Sequence, residues 1–476
     1  MSADTKMSDT GGVNYCACMN HGVERLGVAN YLNLEEVNSF IGTNCMSEGK
    51  CASQFAGPTG LASSFNRTMW FTQGDIISTE LRAFNNHQKE DVGPYLVALT
   101  GYGPNINIER DPRYGRNSEL PGEDPYLTGT YASQMVRGMQ VGSDVDPKYL
   151  KMIAGVKHFA AYSVEDQRYS REFNISQFDL YDTYLRQYKM AFGKEEGNAM
   201  ATMCSYAGIN GVPSCANDWL LNKVLREDWK RPEVMVVSDC TAVKNLYLGN
   251  VEHGLLKPGN HYANNETDAA MKAVNGGVDI EMGTGQFFTT LADGGKGYLS
   301  EVVSQGLVSK ERINKSLERI LEKRFITGLF DPIPQQKFMQ IPVDVINSTA
   351  HWEFVLDSTL QSLVLLRNDE NTLPFPLPSS NNNNNTPLKL AILGPIAFVQ
   401  RDLFEDYKGP ECIDNSDNCV ETIGAYFQRN YIHNSSSFSS SSSSSSFVSV
   451  HKGVDINSTG IYRLYFSISL CRIYTT

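Results

Sequence analysis

Asp239 closes the run Val234-Met-Val-Val-Ser-Asp-Cys240. Its four apolar residues predict a short buried strand. A carboxylate at the carboxyl end of such a strand stands where barrel enzymes hold reacting groups. It can serve as nucleophile, base, metal ligand or anchor; the packing alternative is a cap on the next helix. Four further predicted strand ends carry polar side chains. They are Asn107-Ile-Glu-Arg-Asp-Pro-Arg-Tyr-Gly-Arg116, the pair Lys157-His158, Tyr206, and Asp279 with Glu281. Each has a structural alternative: a salt-bridge network, a satisfied buried pair, a packed tyrosine. Buried charge is costly unless it is paired or used. Five polar strand ends together therefore predict one shared pocket.

The chemistry that suits this set is sugar chemistry. Arginine and lysine donate to hydroxyls, and carboxylates accept from them. Asp239 held near arginine and lysine is expected to stay ionised through a lowered pKa. An ionised carboxylate can attack an anomeric carbon and form a glycosyl-enzyme intermediate. Missing from the set is a carboxylic acid of raised pKa to protonate the leaving oxygen. Other chemistries find no motif. Gly101-Tyr-Gly103 lacks the Lys-Ser/Thr and spacing of a phosphate loop, and neither His-Glu-x-x-His nor Gly-x-Ser-x-Gly occurs.

Positioning these groups requires alternating strands and helices. Strands are expected at residues 105–108, 153–159, 201–206, 234–238 and 277–281. Between them, Asn217 or Asp218 can cap a helix carrying Leu220, Leu221, Val224 and Leu225. Ser309 can cap another with Ile313, Leu317, Ile320 and Leu321. Repeated strand–helix units predict an α/β fold with a parallel sheet. The expected organisation is a polar segment at 1–24, a barrel domain at 25–330 and a proline-bearing linker with a helix at 331–362. A second α/β domain follows at 363–460, opened by the runs at 363–368 and 388–394 and interrupted by the asparagine run 381–385 and the serine tract 435–446. The tail at 461–476 is left without assignment.

The chain has 476 residues, is 41% hydrophobic and carries a formal charge of −12, with a pI near 5.2. No basic patch is present, which argues against nucleic acid and anionic membrane as partners. No run reaches the ~18 apolar residues of a membrane span. The first ten residues are polar and do not read as a signal peptide. Among ten cysteines there is no Cys-x-x-Cys pair, so zinc is not expected. Cys45/Cys51, Cys204/Cys215 and Cys412/Cys419 could each close a small loop. Sequons stand at Asn66, Asn174, Asn265, Asn314, Asn347, Asn434 and Asn457.

Several stretches, taken in order, resemble family 3 glycoside hydrolases, in the β-xylosidase/α-L-arabinofuranosidase branch. They are Arg25-Leu-Gly-Val28, Ala62-Ser-Ser-Phe-Asn66, the 105–116 segment, Glu119-Leu-Pro-Gly-Glu-Asp-Pro125, Lys157-His-Phe-Ala-Ala-Tyr162, Met203–Cys215 and Val237-Ser-Asp-Cys240. The cysteine after Ser-Asp favours the xylosidase branch. The resemblance implies a (β/α)8 TIM-like barrel followed by a partial α/β sandwich domain. It makes Asp239 the nucleophile of a retaining mechanism. Arg116, Lys157 and His158 match residues that hold sugar hydroxyls, Tyr206 matches a tyrosine near the nucleophile, and Glu36 falls at a sugar-contacting position. The implied substrate is an oligosaccharide, with no cofactor and with an extracellular or lysosomal setting. The family's acid/base glutamate lies in the second domain; Glu405, Glu411 and Glu421 precede its expected place, and loss of it is expected to impair the chain. The alternatives are a sugar-binding homologue without turnover, a chain that does not fold stably, and β-glucoside substrates. Oligomeric state is not legible.

Overall fold

The computed structural model describes residues 35–43, 45–46, 49–87, 97–252, 255–282 and 297–374, with short stretches at 3–4, 19–20, 23–29, 31–32, 400 and 421–427. The segments 381–385, 388–394, 435–446 and 461–476 and the pair Cys412/Cys419 lie outside the described residues. The chain divides into two units, one of Met1–Val364 with Tyr407–Gly409 and one of the remainder. Of the second unit, a turn of 3-10 helix at Asp369–Asn371 and a short helix at Ile423–Phe427 are described. The leucine run at 363–368 forms no strand; Leu363, Val364, Leu365 and Leu366 are exposed, with no regular structure.

The first unit is built on a parallel sheet. Its strands are β1 (Glu35–Glu36), β2 (Thr100–Asn105), β3 (Ile153–Phe159), β4 (Ala201–Cys204) and β5 (Met235–Ser238), paired in chain order. A parallel bridge from Val237 to Ile280 continues the order beyond β5. Parallel strands laid down in sequence, each followed by a helix, are the winding of a (β/α) barrel. The helices are α1 (Pro58–Ser63), α2 (Arg67–His87), α3 (Pro125–Gln140), α4 (Arg186–Phe192), α5 (Trp219–Asp228), α6 (Ala242–Asn245), α7 (Glu266–Gly276), α8 (Tyr298–Ser304), α9 (Lys310–Ile326) and α10 (Thr349–Gln361).

Strands β3 and β5 read directly from their apolar sequence. One face of the sheet gathers Ile153, Ala201, Met203, Met235, Val237, Ile280 and Met282 into one cluster with Tyr102. The other face, with Ala154, Val156, Val234 and Val236, packs against apolar stripes of the helices. One step of alternation past Val237 puts Asp239 on the side of Met235 and Val237.

The strand expected at 105–108 is instead Thr100–Asn105, five residues earlier. Its Thr-Gly-Tyr-Gly-Pro-Asn sequence looks like a loop. A Cβ at Gly101 would meet Met152 at 2.5 Å, and one at Gly103 would meet the Val37 carbonyl oxygen at 2.6 Å. Close strand packing, not turn geometry, selects these glycines.

Helix starts follow their capping residues. Asp124 accepts from the Leu127 N–H ahead of Pro125, and Ser309 accepts from Arg312 N–H. Asn217 Oδ1 accepts from Leu220 N–H, and Leu220, Leu221, Val224 and Leu225 are all buried. Disulfides join Cys45 to Cys51 and Cys204 to Cys215. No helix among the described residues is long and apolar enough to cross a membrane.

Candidate active site

Asp239 follows the last residue of β5 and is 7% exposed. Its backbone N–H donates to the Cys204 carbonyl at 3.1 Å, fixing it to the end of β4. Its Oδ1 accepts from Cys240 N–H at 2.7 Å. Its Oδ2 is covered and has no hydrogen-bond partner among the described residues. A carboxylate oxygen taken from water and given no donor is costly. Such exceptions to the pairing of buried polar groups call for a functional explanation.

The cations expected around it are present, and each carries its own acid. Arg116 forms a two-pronged ion pair with Glu119, with both N···O distances at 2.7 Å. Lys157 Nζ bonds Glu36 Oε2. All four side chains are buried. Burial opposes the Glu119 carboxylate, but the Arg116 guanidinium outweighs it and holds the carboxyl below its ordinary range. Burial pushes Glu36 up against the pull of Lys157. Glu35, the preceding residue, is pushed up to about 8 by burial and by Glu36 beside it.

This pairing reverses one expectation. Asp239 is raised above the ordinary aspartate value, not lowered. Burial is the largest cause, and Arg116, Arg168, the Cys240 N–H and Lys157 only partly offset it. Arg116 and Lys157 still favour the ionised form, but the cost of burying the carboxylate exceeds their pull. Sequence reasoning counted the cations without the cost of burying the carboxylate.

His158 Nε2 lies 3.7 Å from Asp239 Oδ2. Burial drives its pKa well below the ordinary value, helped by Arg116, Lys157 and Arg168, so the imidazole is neutral. Asn107 settles the tautomer. Its Oδ1 accepts from His158 N–H at 2.9 Å, while its Nδ2 donates to the His158 carbonyl at 2.9 Å. With the amide so oriented, Nδ1 at 3.2 Å from Asn107 Oδ1 must carry the proton. Nε2 is then a bare acceptor facing Asp239, and the two atoms form no ion pair.

Tyr206 enters through the backbone. Its hydroxyl donates to the Cys240 carbonyl at 2.7 Å. Its phenol is raised well above the ordinary value by burial and then by Asp239. All six residues singled out from sequence—Asp239, Arg116, Lys157, His158, Tyr206 and Glu36—therefore join one electrostatic network. The network includes others that sequence reasoning missed. Arg168 lies 5.2 Å from the Tyr206 ring and pairs with Glu165 at 2.8 Å. Tyr162 sits between Arg116 at 5.6 Å, the His158 ring at 5.2 Å and the Tyr206 ring at 6.4 Å. Glu119 had a readable signal, three residues after Arg116. Arg168 had none, because it lies in an irregular loop.

Asp279 does not join the site. It turns toward the helices, where its carboxylate meets Arg226 of α5 at 2.8 Å and Arg319 of α9 at 3.0 Å. Arg312 lies at 3.4 Å, and Ser316 Oγ donates at 2.6 Å. Burial opposes this carboxylate, but Arg226 and the other arginines hold it below the ordinary value. It fastens helices to the sheet. Of the five polar strand ends, four contribute side chains to the network around a tightly covered carboxylate; at the fifth, Asp279 turns away and Glu281 is buried.

Residues 46–323 match the model of the glycosyl hydrolase family 3 N terminal domain. The chain is 35% identical over 401 residues to a beta-xylosidase/alpha-L-arabinofuranosidase 2 of Medicago sativa subsp. varia, covering 82% of this chain and 47% of that protein. It is 33% identical over 363 residues to a xylan 1,4-beta-xylosidase of Xylanibacter ruminicola, covering 75% of this chain and 38% of that protein. The structure of a GH3 exo-beta-xylosidase (XlnD) in complex with a xylobiose aziridine activity-based probe superposes with a TM-score of 0.69. That match has 31% identity and covers 82% of this chain and 46% of that one. The chain thus spans under half the length of these relatives, and over that span it is an α/β chain of barrel type that belongs to glycosyl hydrolase family 3.

Proposed function

We propose that the chain carries the nucleophile domain of a retaining exo-glycosidase acting on terminal β-xylosyl or α-L-arabinofuranosyl residues of xylo-oligosaccharides. One observation supports this most strongly. Asp239 Oδ2 is buried without a donor beside Arg116, Lys157 and Arg168. A sugar brought against this carboxylate supplies hydroxyl donors to His158 Nε2 and Asp239. Arg116 and Lys157 donate to its oxygens while keeping their carboxylates. The ionised Asp239 oxygen then forms a bond to C1 as the bond from C1 to the leaving oxygen breaks. The leaving oxygen takes a proton unless it departs as a stable anion. Water later attacks C1, its proton is lost, and the Asp239 carboxylate is regenerated.

Glu36 and Glu119 are committed to Lys157 and Arg116, so neither is assigned as proton donor. The two disulfides among the described residues fit an oxidising, extracellular or lysosomal setting. The names of the relatives support the xyloside and arabinoside classes over glucosides.

The test is stopped-flow release of dinitrophenolate from 2,4-dinitrophenyl β-D-xyloside by the full chain, beside the α-L-arabinofuranoside and β-D-glucoside. A burst on the first two with little on the third supports the reading. Calorimetric binding of xylose with no release from any of the three contradicts it and leaves a binding protein.

A further inference from the structure

The cystine Cys204–Cys215 lies at the end of β4 and closes the loop of residues 205–214. Both sulfurs belong to fully covered residues, 0% and 1% exposed. Two separate lines run from this cystine to the proposed nucleophile. First, the Cys204 carbonyl accepts the Asp239 N–H. Second, the closed loop carries Tyr206, whose hydroxyl holds the Cys240 carbonyl at 2.7 Å. The N–H of that same Cys240 donates to Asp239 Oδ1 at 2.7 Å. The loop is further tied down by Ser205 Oγ and Ser214 Oγ at 3.0 Å, and by Ser214 N–H to the Ala207 carbonyl at 3.0 Å.

The peptide plane before Asp239 and the one after Cys240 are thus both held by groups next to one covalent link. The segment is also held by Thr241 N–H to the Met282 carbonyl at 2.7 Å and by Ala242 N–H to the Asp239 carbonyl at 2.9 Å, and it carries a residue in a costly conformation. Thr241, two residues on, sits at φ 64°, a left-handed conformation that a β-branched residue adopts only under restraint. Asp239 Oδ2 has no hydrogen bond of its own among the described residues, so its aim depends on the bond that Oδ1 accepts from Cys240 N–H and on the backbone that presents that N–H.

We infer that the Cys204–Cys215 disulfide is a positioning element for Asp239, required for the rate of attack at C1 and not only for the stability of the fold. This deepens the nucleophile reading and rests on it.

The test uses the full chain and 2,4-dinitrophenyl 2-deoxy-2-fluoro-β-D-xyloside, whose leaving group needs no proton. Labelling is followed to completion in wild type, Cys204→Ala/Cys215→Ala, Tyr206→Phe and Cys45→Ala/Cys51→Ala. Loss of the positioning disulfide lowers the first-order labelling constant at saturating probe by about tenfold or more, while the final labelled fraction stays at the wild-type level. Tyr206→Phe, which cuts the second line alone, lowers it in the same direction. The Cys45/Cys51 variant labels as wild type. A labelling constant that is unchanged, or a fall confined to the labelled fraction, overturns the inference, because the second is what a merely structural link would give. Should the double variant not fold, Tyr206→Phe decides: a wild-type constant overturns it. Hydrogen exchange across residues 237–241 gives a reading that needs no chemistry. It speeds up in the Cys204/Cys215 or Tyr206 variant, and unchanged exchange also overturns the inference. A wild-type chain that never labels contradicts the nucleophile assignment instead, with exchange still deciding the role of the disulfide.

Discussion

Asp239 Oδ2 and His158 Nε2 face each other across 3.7 Å, both as acceptors, because Asn107 Oδ1 takes the proton-bearing side of the imidazole. Two lone pairs turned toward one gap are an arrangement that a hydroxyl donor relieves. The local geometry is unfavourable until a hydroxyl donates to one of the two atoms.

His158 is therefore expected to accept from substrate, not donate to it. His158→Gln can turn its amide oxygen toward the gap and keeps part of the activity. His158→Lys places donors there and loses at least about tenfold more in kcat/KM on an aryl xyloside. Equal losses in the two variants contradict the tautomer.

The raised pKa of Asp239 sets the acid limb of any rate profile. Attack needs the ionised form, and burial favours the neutral one. Activity should fall away as pH drops through a value above the ordinary 3.8 of aspartate. Glu119→Gln leaves Arg116 without its carboxylate partner and strengthens its field on Asp239, so the limb moves to lower pH. A limb at or below 3.8 in the wild type, or an upward move in Glu119→Gln, counts against this electrostatic picture.

The same shift bears on stability. A group whose folded-state pKa is raised contributes stability that is full below the unfolded value and lost as pH rises through the folded value. At neutral pH the ionised Asp239 is thus a net cost to the fold. Asp239→Asn should abolish labelling and raise the melting temperature by about 2 °C. A lower melting temperature would mean that the carboxylate is better solvated than its contacts indicate.

Asp279 gives the opposite case. Its carboxylate holds Arg226, Arg312 and Arg319, and its lowered pKa makes its contribution present above 3.8 and lost as pH falls through the folded value. Asp279→Asn leaves three guanidinium groups short of their common acceptor and should cost about 3–5 kcal/mol by denaturant unfolding. A loss below about 1 kcal/mol means that the arginines find other partners.

Much of this architecture was legible because several segments obey one rule each. Ile153–Phe159 is an apolar run that becomes a strand with the same bounds, and Ser309 caps the helix that its spacing predicts. Thr100–Asn105 was not legible, since its glycines are demanded by Val37 and Met152, which approach from distant parts of the chain. The direction of Asp279 was half legible. Period-2 alternation sets it opposite to Ile280, on the helix side, but only the three arginines reveal its task. The residues around Asp239 were found by type, yet the sign of its pKa shift was not, because that depends on how completely the fold covers the carboxylate.

The most direct measurement is peptide mapping of the full chain after reaction with 2,4-dinitrophenyl 2-deoxy-2-fluoro-β-D-xyloside. The account predicts one equivalent of dinitrophenolate released and one fluoroxylosyl ester, on Asp239. An adduct on another carboxylate, such as Glu36 or Glu119, or no adduct from a folded chain, would contradict it.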